Sequence, residues 1–166
     1  MITLLATHME MVRPPAGDAV AAPIAGAEVT LERLDANAYL DLYRRVGTPV
    51  QWDSRLKTPI VDLVAWLADP STCIHVLRVD GQAAGLCEFC GVGGPEVELA
   101  HFGLDPTFHG KRLGPFLLDA ALRSCWSNTP SRIWLRTDTN DHAAAIGVYE
   151  KAGFVTVRRQ IEEFED

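Results

Sequence analysis

A mixed α/β fold, with a largely antiparallel sheet covered by helices, is what this sequence predicts, and three observations carry it. Tyr39, Leu42, Tyr43 and Val46, and again Ile60, Leu63, Val64 and Leu67, repeat with the spacing of one amphipathic helix face. Between and after them lie short apolar runs broken by Asp80-Gly81 and by Gly91-Val92-Gly93-Gly94-Pro95, the pattern of hairpin-linked strands. Finally, an apolar run over residues 97–104 passes directly into a glycine-containing turn and a helix, and a second strand and helix follow.

The 166 residues suit one domain with a sizeable core. Hydrophobic residues make up 48% and charged residues 22%, the balance of a globular chain, and no apolar run approaches the ~20 residues of a bilayer span. Met1-Ile2-Thr3-Leu4-Leu5-Ala6 lacks the basic start and long apolar stretch of a secretory signal, so a cytoplasmic location is expected, with no membrane partner. A net charge of −7 speaks against a nucleic-acid-binding surface and favours cationic partners such as amines. Cys73, Cys87, Cys90 and Cys125 read as small core residues; Cys87 and Cys90 have no second Cys pair to complete a metal site.

Taken in order, residues 3–11 admit a short strand. Pro14, Pro15, Gly17, Pro23 and Gly26, in an alanine-rich setting, mark a linker. Residues 1–27 are therefore expected to be an N-terminal extension and residues 28–166 the domain, with the ordered core beginning near Glu28. Val29 and Leu31 alternate with polar residues in a first core strand over 28–34. The helix of Tyr39 stops at Gly47. Thr58 and Pro59 read as N-cap and first residue of the helix that Pro70 closes. Strands over 73–79 and 82–90 are joined by Asp80-Gly81, and Leu118, Leu122 and Cys125 give the next helix its buried face. A strand over 131–137, a helix from Asp141 as N-cap to Gly153 as its left-handed stop, and a last strand after Phe154 complete the chain.

The chemistry concentrates at Leu104-Asp105-Pro106-Thr107-Phe108-His109-Gly110-Lys111-Arg112-Leu113-Gly114-Pro115. Unpaired N–H groups at a helix start, with the helix dipole, Lys111 and Arg112, form a site for phosphate. Pro115 brings no N–H. Glu98 stands six residues before Leu104, which in a regular strand puts both side chains on one face, while His101 has the opposite parity. Only a bulge would bring Glu98 and His101 together.

These residues also carry a family resemblance. The loop from His109 to Gly114 resembles the acetyl-CoA pyrophosphate loop of the GNAT acyltransferase superfamily, Gln/Arg-x-x-Gly-x-Gly/Ala. The helix ending Val148-Tyr149-Glu150-Lys151-Ala152-Gly153-Phe154 resembles that superfamily's Asn-x-x-Ala-x-x-Leu-Tyr-x-x-x-Gly-Phe run. Three positions depart from it: His109 replaces the leading Gln/Arg, Arg112 the first consensus glycine, and His142 the Asn. The resemblance is to bacterial GNAT proteins of unassigned substrate and covers most of the chain, more loosely before Thr48.

What it implies is a GNAT fold and an N-acetyltransferase that moves an acetyl group from acetyl-CoA to a primary amine by direct transfer, with no metal and often as a homodimer. The alternative is a GNAT-like module that holds acyl-CoA without turnover. The resemblance implies pantetheine bonded to the backbone near Phe102 and Leu104, the pyrophosphate on His109, Gly110, Lys111, Arg112, Leu113 and Gly114, and His142 in place of the Asn that bonds pantetheine. It implies an acceptor pocket near Trp52, Asp53 and Arg55, and Tyr149 as proton donor to the leaving thiolate. Glu98 matches the glutamate base of the histone-acetyltransferase branch; His101 is the rival base.

Overall fold

The computed structural model describes residues 1–165; Asp166 lies outside the described residues. Strands β1 (Ile2–Met11) and β2 (Ala27–Glu32) precede helices α1 (Ala36–Gly47) and α2 (Ile60–Ala68). Then come β3 (Cys73–Val79), β4 (Gln82–Cys90), β5 (Glu96–Leu104), α3 (Leu113–Trp126), β6 (Arg132–Asp138), α4 (Ala145–Ala152) and β7 (Val155–Phe164). One seven-stranded sheet has the order β2-β3-β4-β5-β6-β1-β7. Every neighbouring pair is antiparallel except β5 and β6.

The β5–β6 exception opens the sheet. Their parallel pairing runs only from Glu96 opposite Arg132 to Glu98 opposite Trp134. Beyond Glu98 the strands part, and an unpaired stretch of β5 faces a gap. Two apolar layers cover the sheet. One holds Leu113, Leu117, Leu118, Leu122 and Tyr149 of α3 and α4 with Met9, Cys87, Phe89 and Leu135. The other packs Tyr39, Leu42, Tyr43 and Val46 of α1 and Leu63 and Leu67 of α2 on Ile74, Val76 and Leu86.

Four expectations need correction. The core does not begin near Glu28: β1 lies between β6 and β7, and Ala6, Met9 and Met11 are buried, because without β1 neither neighbour has a partner on that side. The linker after β1 is tied to α3, where Arg123 donates to the carbonyls of Ala16, Gly17 and Asp18. In β2, an edge strand, Leu31 is exposed rather than core. Thr58 does not cap α2; its hydroxyl donates to the Ser54 carbonyl at 3.0 Å, and Pro59 stands at the cap. Asp141 does not cap α4 either. It accepts from the Thr137 hydroxyl and from the Asp138 N–H at 3.1 Å, so the helix starts only at Ala145. Gly153 does stop α4, with φ 117°.

Candidate active site

The gap between β5 and β6 opens into two adjoining cavities. The larger, about 400 Å³, runs between Phe102, Gly103 and Leu104 of β5 and Asn140, His142, Ala145 and Val148 before and on α4. It ends at His109, Gly110 and Arg112 to Gly114, where α3 begins. The smaller, about 170 Å³, is lined by Trp52, His101, Phe102, Arg136, Asp138 and Tyr149. Trp52, Phe102, Asp141 and Tyr149 belong to both.

The far end of the larger cavity is made of backbone. Asp105 starts it: its carboxylate accepts from the Thr107 N–H at 3.0 Å and hydroxyl at 2.9 Å and from Arg45 of α1 at 2.8 Å, pinning α1 to the loop. The chain then turns through Gly110 (φ 79°) and Arg112 (φ 60°) into α3. Among the described residues, the amides of Gly110 to Gly114 have no backbone acceptor outside the helix, and Pro115 closes the set. A non-glycine residue in this left-handed conformation costs roughly 1–2 kcal/mol, which Arg112 bears. Its side chain is exposed at the cavity, where a phosphate oxygen suits a guanidinium. Lys111 is exposed, its ammonium 5.7 Å from the Phe108 ring centre. His109 packs edge-on against His142, ring centres 5.2 Å apart, and its Nε2 lies 3.2 Å from the Leu104 carbonyl. The two imidazoles thus bring the loop and the start of α4 together.

The smaller cavity is built of side chains. The β4–β5 register pairs Glu88 with His101 and Phe89 with Leu99, skipping Ala100. This bulge puts Glu98 and His101 on one face, that of Glu88 and Cys90, and turns Leu104 to the other. The expected shared face of Glu98 and Leu104 is thereby corrected by one residue. Glu88 has no exposed surface. Its carboxylate accepts from the Tyr39 hydroxyl and from Arg55 at 3.4 Å, and lies 2.7 Å from His101 Nδ1. Burial works against the Glu88 charge, but His101, Tyr39 and Arg55 outweigh it and hold the carboxyl below its ordinary range. Glu98 shifts the other way: burial, aided by the Glu88 charge, pushes it up despite His101 and Arg55.

Trp52 lies over His101, ring centres 4.7 Å apart, and Tyr43 meets the same imidazole edge-on at 5.1 Å. A short turn over Thr48–Val50 brings Trp52 there, and Gly47 makes room: a Cβ at Gly47 would stand 2.6 Å from that of Trp52. Of the other expected acceptor contacts, Arg55 stacks on Trp66 at 3.8 Å while reaching Glu88. Asp53 lines neither cavity; it is exposed and pairs with Lys57 at 2.6 Å. Tyr149 is nearly buried, packs on Phe102 and Phe154, and has its hydroxyl pKa raised by burial and by the charge of Asp141. Glu88, Tyr39 and Tyr43 were missed in the sequence, although a carboxylate within the apolar run Ala83-Ala84-Gly85-Leu86-Cys87-Glu88-Phe89 signals a buried partner. Among the described residues no cluster of three or more His, Cys, Asp or Glu is placed to hold a metal ion, and no helix is long and apolar enough to cross a membrane.

Residues 36–154 match the model of the acetyltransferase (GNAT) family. No curated protein sequence matches. Among solved structures, a GCN5-related N-acetyltransferase from Sphaerobacter thermophilus superposes with a TM-score of 0.70 at 19% identity, over 94% of this chain and 49% of its own. A tandem GNAT protein from the clavulanic acid biosynthesis pathway gives 0.70 at 16%, over 95% and 51%. An aminoglycoside acetyltransferase from an uncultured soil metagenomic sample, in complex with trehalose, gives 0.67 at 13%, over 85% and 95%. The chain thus spans about half the length of the first two.

Proposed function

The chain belongs to the GNAT acetyltransferase family, and from that premise we propose that it transfers an acetyl group from acetyl-CoA to a primary amine within a ternary complex. The observation that carries this reading is the gap beyond Glu98, which joins a row of unpaired amides at one end to a titratable, aromatic-lined cavity at the other.

Acetyl-CoA fits the residues present and supplies an activated thioester. The amides of Gly110 to Gly114, the α3 dipole and Arg112 suit its pyrophosphate. The unpaired edge of Phe102 to Leu104 offers N–H and C=O groups to the amides of an extended arm, and the larger cavity runs from that edge to the amides at the start of α3. Tyr149 stands where the cavities meet, so its hydroxyl can give a proton to a leaving thiolate, and its raised pKa keeps it protonated at neutral pH. An alkyl amine, with pKa ~10.4, must lose a proton before it attacks, and Glu98 and His101 are the groups on the acceptor side that can take it.

The test is release of CoA thiol from acetyl-CoA in the presence of a panel of primary amines. Turnover is expected, and Tyr149→Phe should lower it roughly 100-fold while shifting the unfolding midpoint little. Tight acetyl-CoA binding without amine-dependent release would instead favour the acyl-CoA-binding module. The implied homodimer has an uncovered sheet edge to use, since β7 exposes Val155, Val157, Ile161 and Phe164. A single-chain mass by light scattering would discard it.

A further inference from the structure

We propose that His101 is the catalytic base, taking the acceptor's proton on Nε2, and that Glu88 is the residue that positions it, held in turn by Tyr39 and Arg55. The inference rests on the transferase reading above and assigns its acid–base chemistry.

Three observations favour His101 over Glu98. Glu98 is the last residue of the β5–β6 ladder, opposite Trp134, and lines neither cavity; His101 lies beyond the point where the strands part and lines the smaller one with Tyr149. His101 Nδ1 is engaged by Glu88, whereas Nε2 has no protein partner and is not among the enclosed unpaired atoms, so it is the nitrogen with accessible surface on a residue that lines the cavity. The ring is also held against an aromatic corner formed by Trp52 and Tyr43.

With Nδ1–H donated to Glu88, Nε2 carries the free lone pair a base needs. The wholly buried Glu88 has no proton-transfer role of its own, because no cavity reaches it. Its task is to fix the tautomer and to stabilise the imidazolium formed. Tyr39 and Arg55 add two further donors, which together with His101 keep it ionised in an apolar layer. In the transfer, the amine nitrogen bonds to the acetyl carbon, the carbon–sulfur bond breaks, the nitrogen's proton passes to His101 Nε2, and the thiolate takes a proton from Tyr149. The imidazolium proton then passes through water to the Tyr149 phenolate, which restores both groups.

The titratable and charged groups around His101 are Glu88 and Cys90 from β4, Glu98 on its own strand and Arg55 from the 51–59 segment. Tyr39 and Tyr43 stand near it on α1, Arg136 and Asp138 on β6, Asp141 in the segment before α4, and Tyr149 on α4.

The experiment pairs nitrogen-15 NMR of the imidazoles in the full chain with the pH dependence of kcat/KM, in the native protein and in Glu88→Gln, His101→Ala and Glu98→Gln. Neutral His101 in the free protein should carry its proton on Nδ1. Glu88→Gln should move its titration to lower pH by about one unit, since a lost opposite charge disfavours the imidazolium. The acid limb of kcat/KM should move with it. His101→Ala should remove that limb and cost roughly 100-fold or more, with imidazole added in solution restoring part of the rate. Glu98→Gln should keep the limb.

A His101 titration unmoved in Glu88→Gln, or a proton on Nε2 in the neutral ring, overturns the pairing whether or not an amine has been found. An acid limb that survives His101→Ala, or disappears in Glu98→Gln, transfers the base role to Glu98. No turnover with any amine overturns the transferase reading and the base role with it, while the NMR result still reads the pairing separately.

Discussion

The two ends of the cleft are built from different parts of the polypeptide. At the α3 end the working groups are amides, set by φ angles at Gly110 and Arg112 and by a helix start. At the acceptor end they are side chains from four places in sequence, Tyr39, Trp52 with Arg55, Glu88, and His101, converging on one buried carboxylate and one imidazole. A backbone-built site survives most side-chain changes; a side-chain network fails when one member leaves.

The largest expected effect is Glu88→Ala. It leaves Arg55 and the Tyr39 hydroxyl without their partner in an apolar layer and should cost about 3–5 kcal/mol by urea unfolding. A loss under 1 kcal/mol would erase the contrast between the two ends.

A sharper comparison lies within β3 and β4. Ile74 is opposite Glu88, and His75 is opposite Cys87 on the other face. His75 is 3% exposed, neither ring nitrogen has a partner in good hydrogen-bond geometry, and burial, only partly offset by a loose contact with the Cys87 backbone, lowers its pKa to about 4. The unfolded chain, with His near 6.5, therefore binds the proton first as pH falls. Stability from the neutral ring is complete above about pH 6.5 and is lost on descent towards 4. Between pH 7 and 4.5 the loss should be about 2–3 kcal/mol, and His75→Leu should flatten that part of the pH–stability curve. An unchanged slope in the variant would mean that the ring finds a partner.

Smaller again, Arg112→Gly should relieve the left-handed strain and raise stability by about 1 kcal/mol or less, after the added freedom of glycine in the unfolded chain. Acetyl-CoA binding by calorimetry should weaken roughly 5- to 20-fold if the guanidinium pairs with phosphate. Unchanged affinity would assign that end wholly to the amides.

The same division explains what could be read in advance. β5, the loop and α3, then β6 and α4, are contiguous, and glycine placement and helical spacing announce them. The acceptor end depends on a bulge at Ala100 that no residue type marks, and on Glu88 meeting partners 13 to 49 residues away in sequence. Asp53 was drawn in by its neighbours Trp52 and Arg55, yet it turns to Lys57. The place of β1 escaped notice because strand pairing between chain ends leaves no local pattern, although Met9 and Met11 alternate as core residues do.

The central claim, that the amide row and the gap beside β5 hold acetyl-CoA, is tested most directly by thermal unfolding with and without that ligand. At 100 times its dissociation constant, a ligand of the native state adds ~2.7 kcal/mol, a shift of several degrees for a domain of this size. That shift is expected at millimolar acetyl-CoA, with a smaller one in Arg112→Gly at limiting ligand. An unmoved midpoint at millimolar acetyl-CoA would contradict the claim.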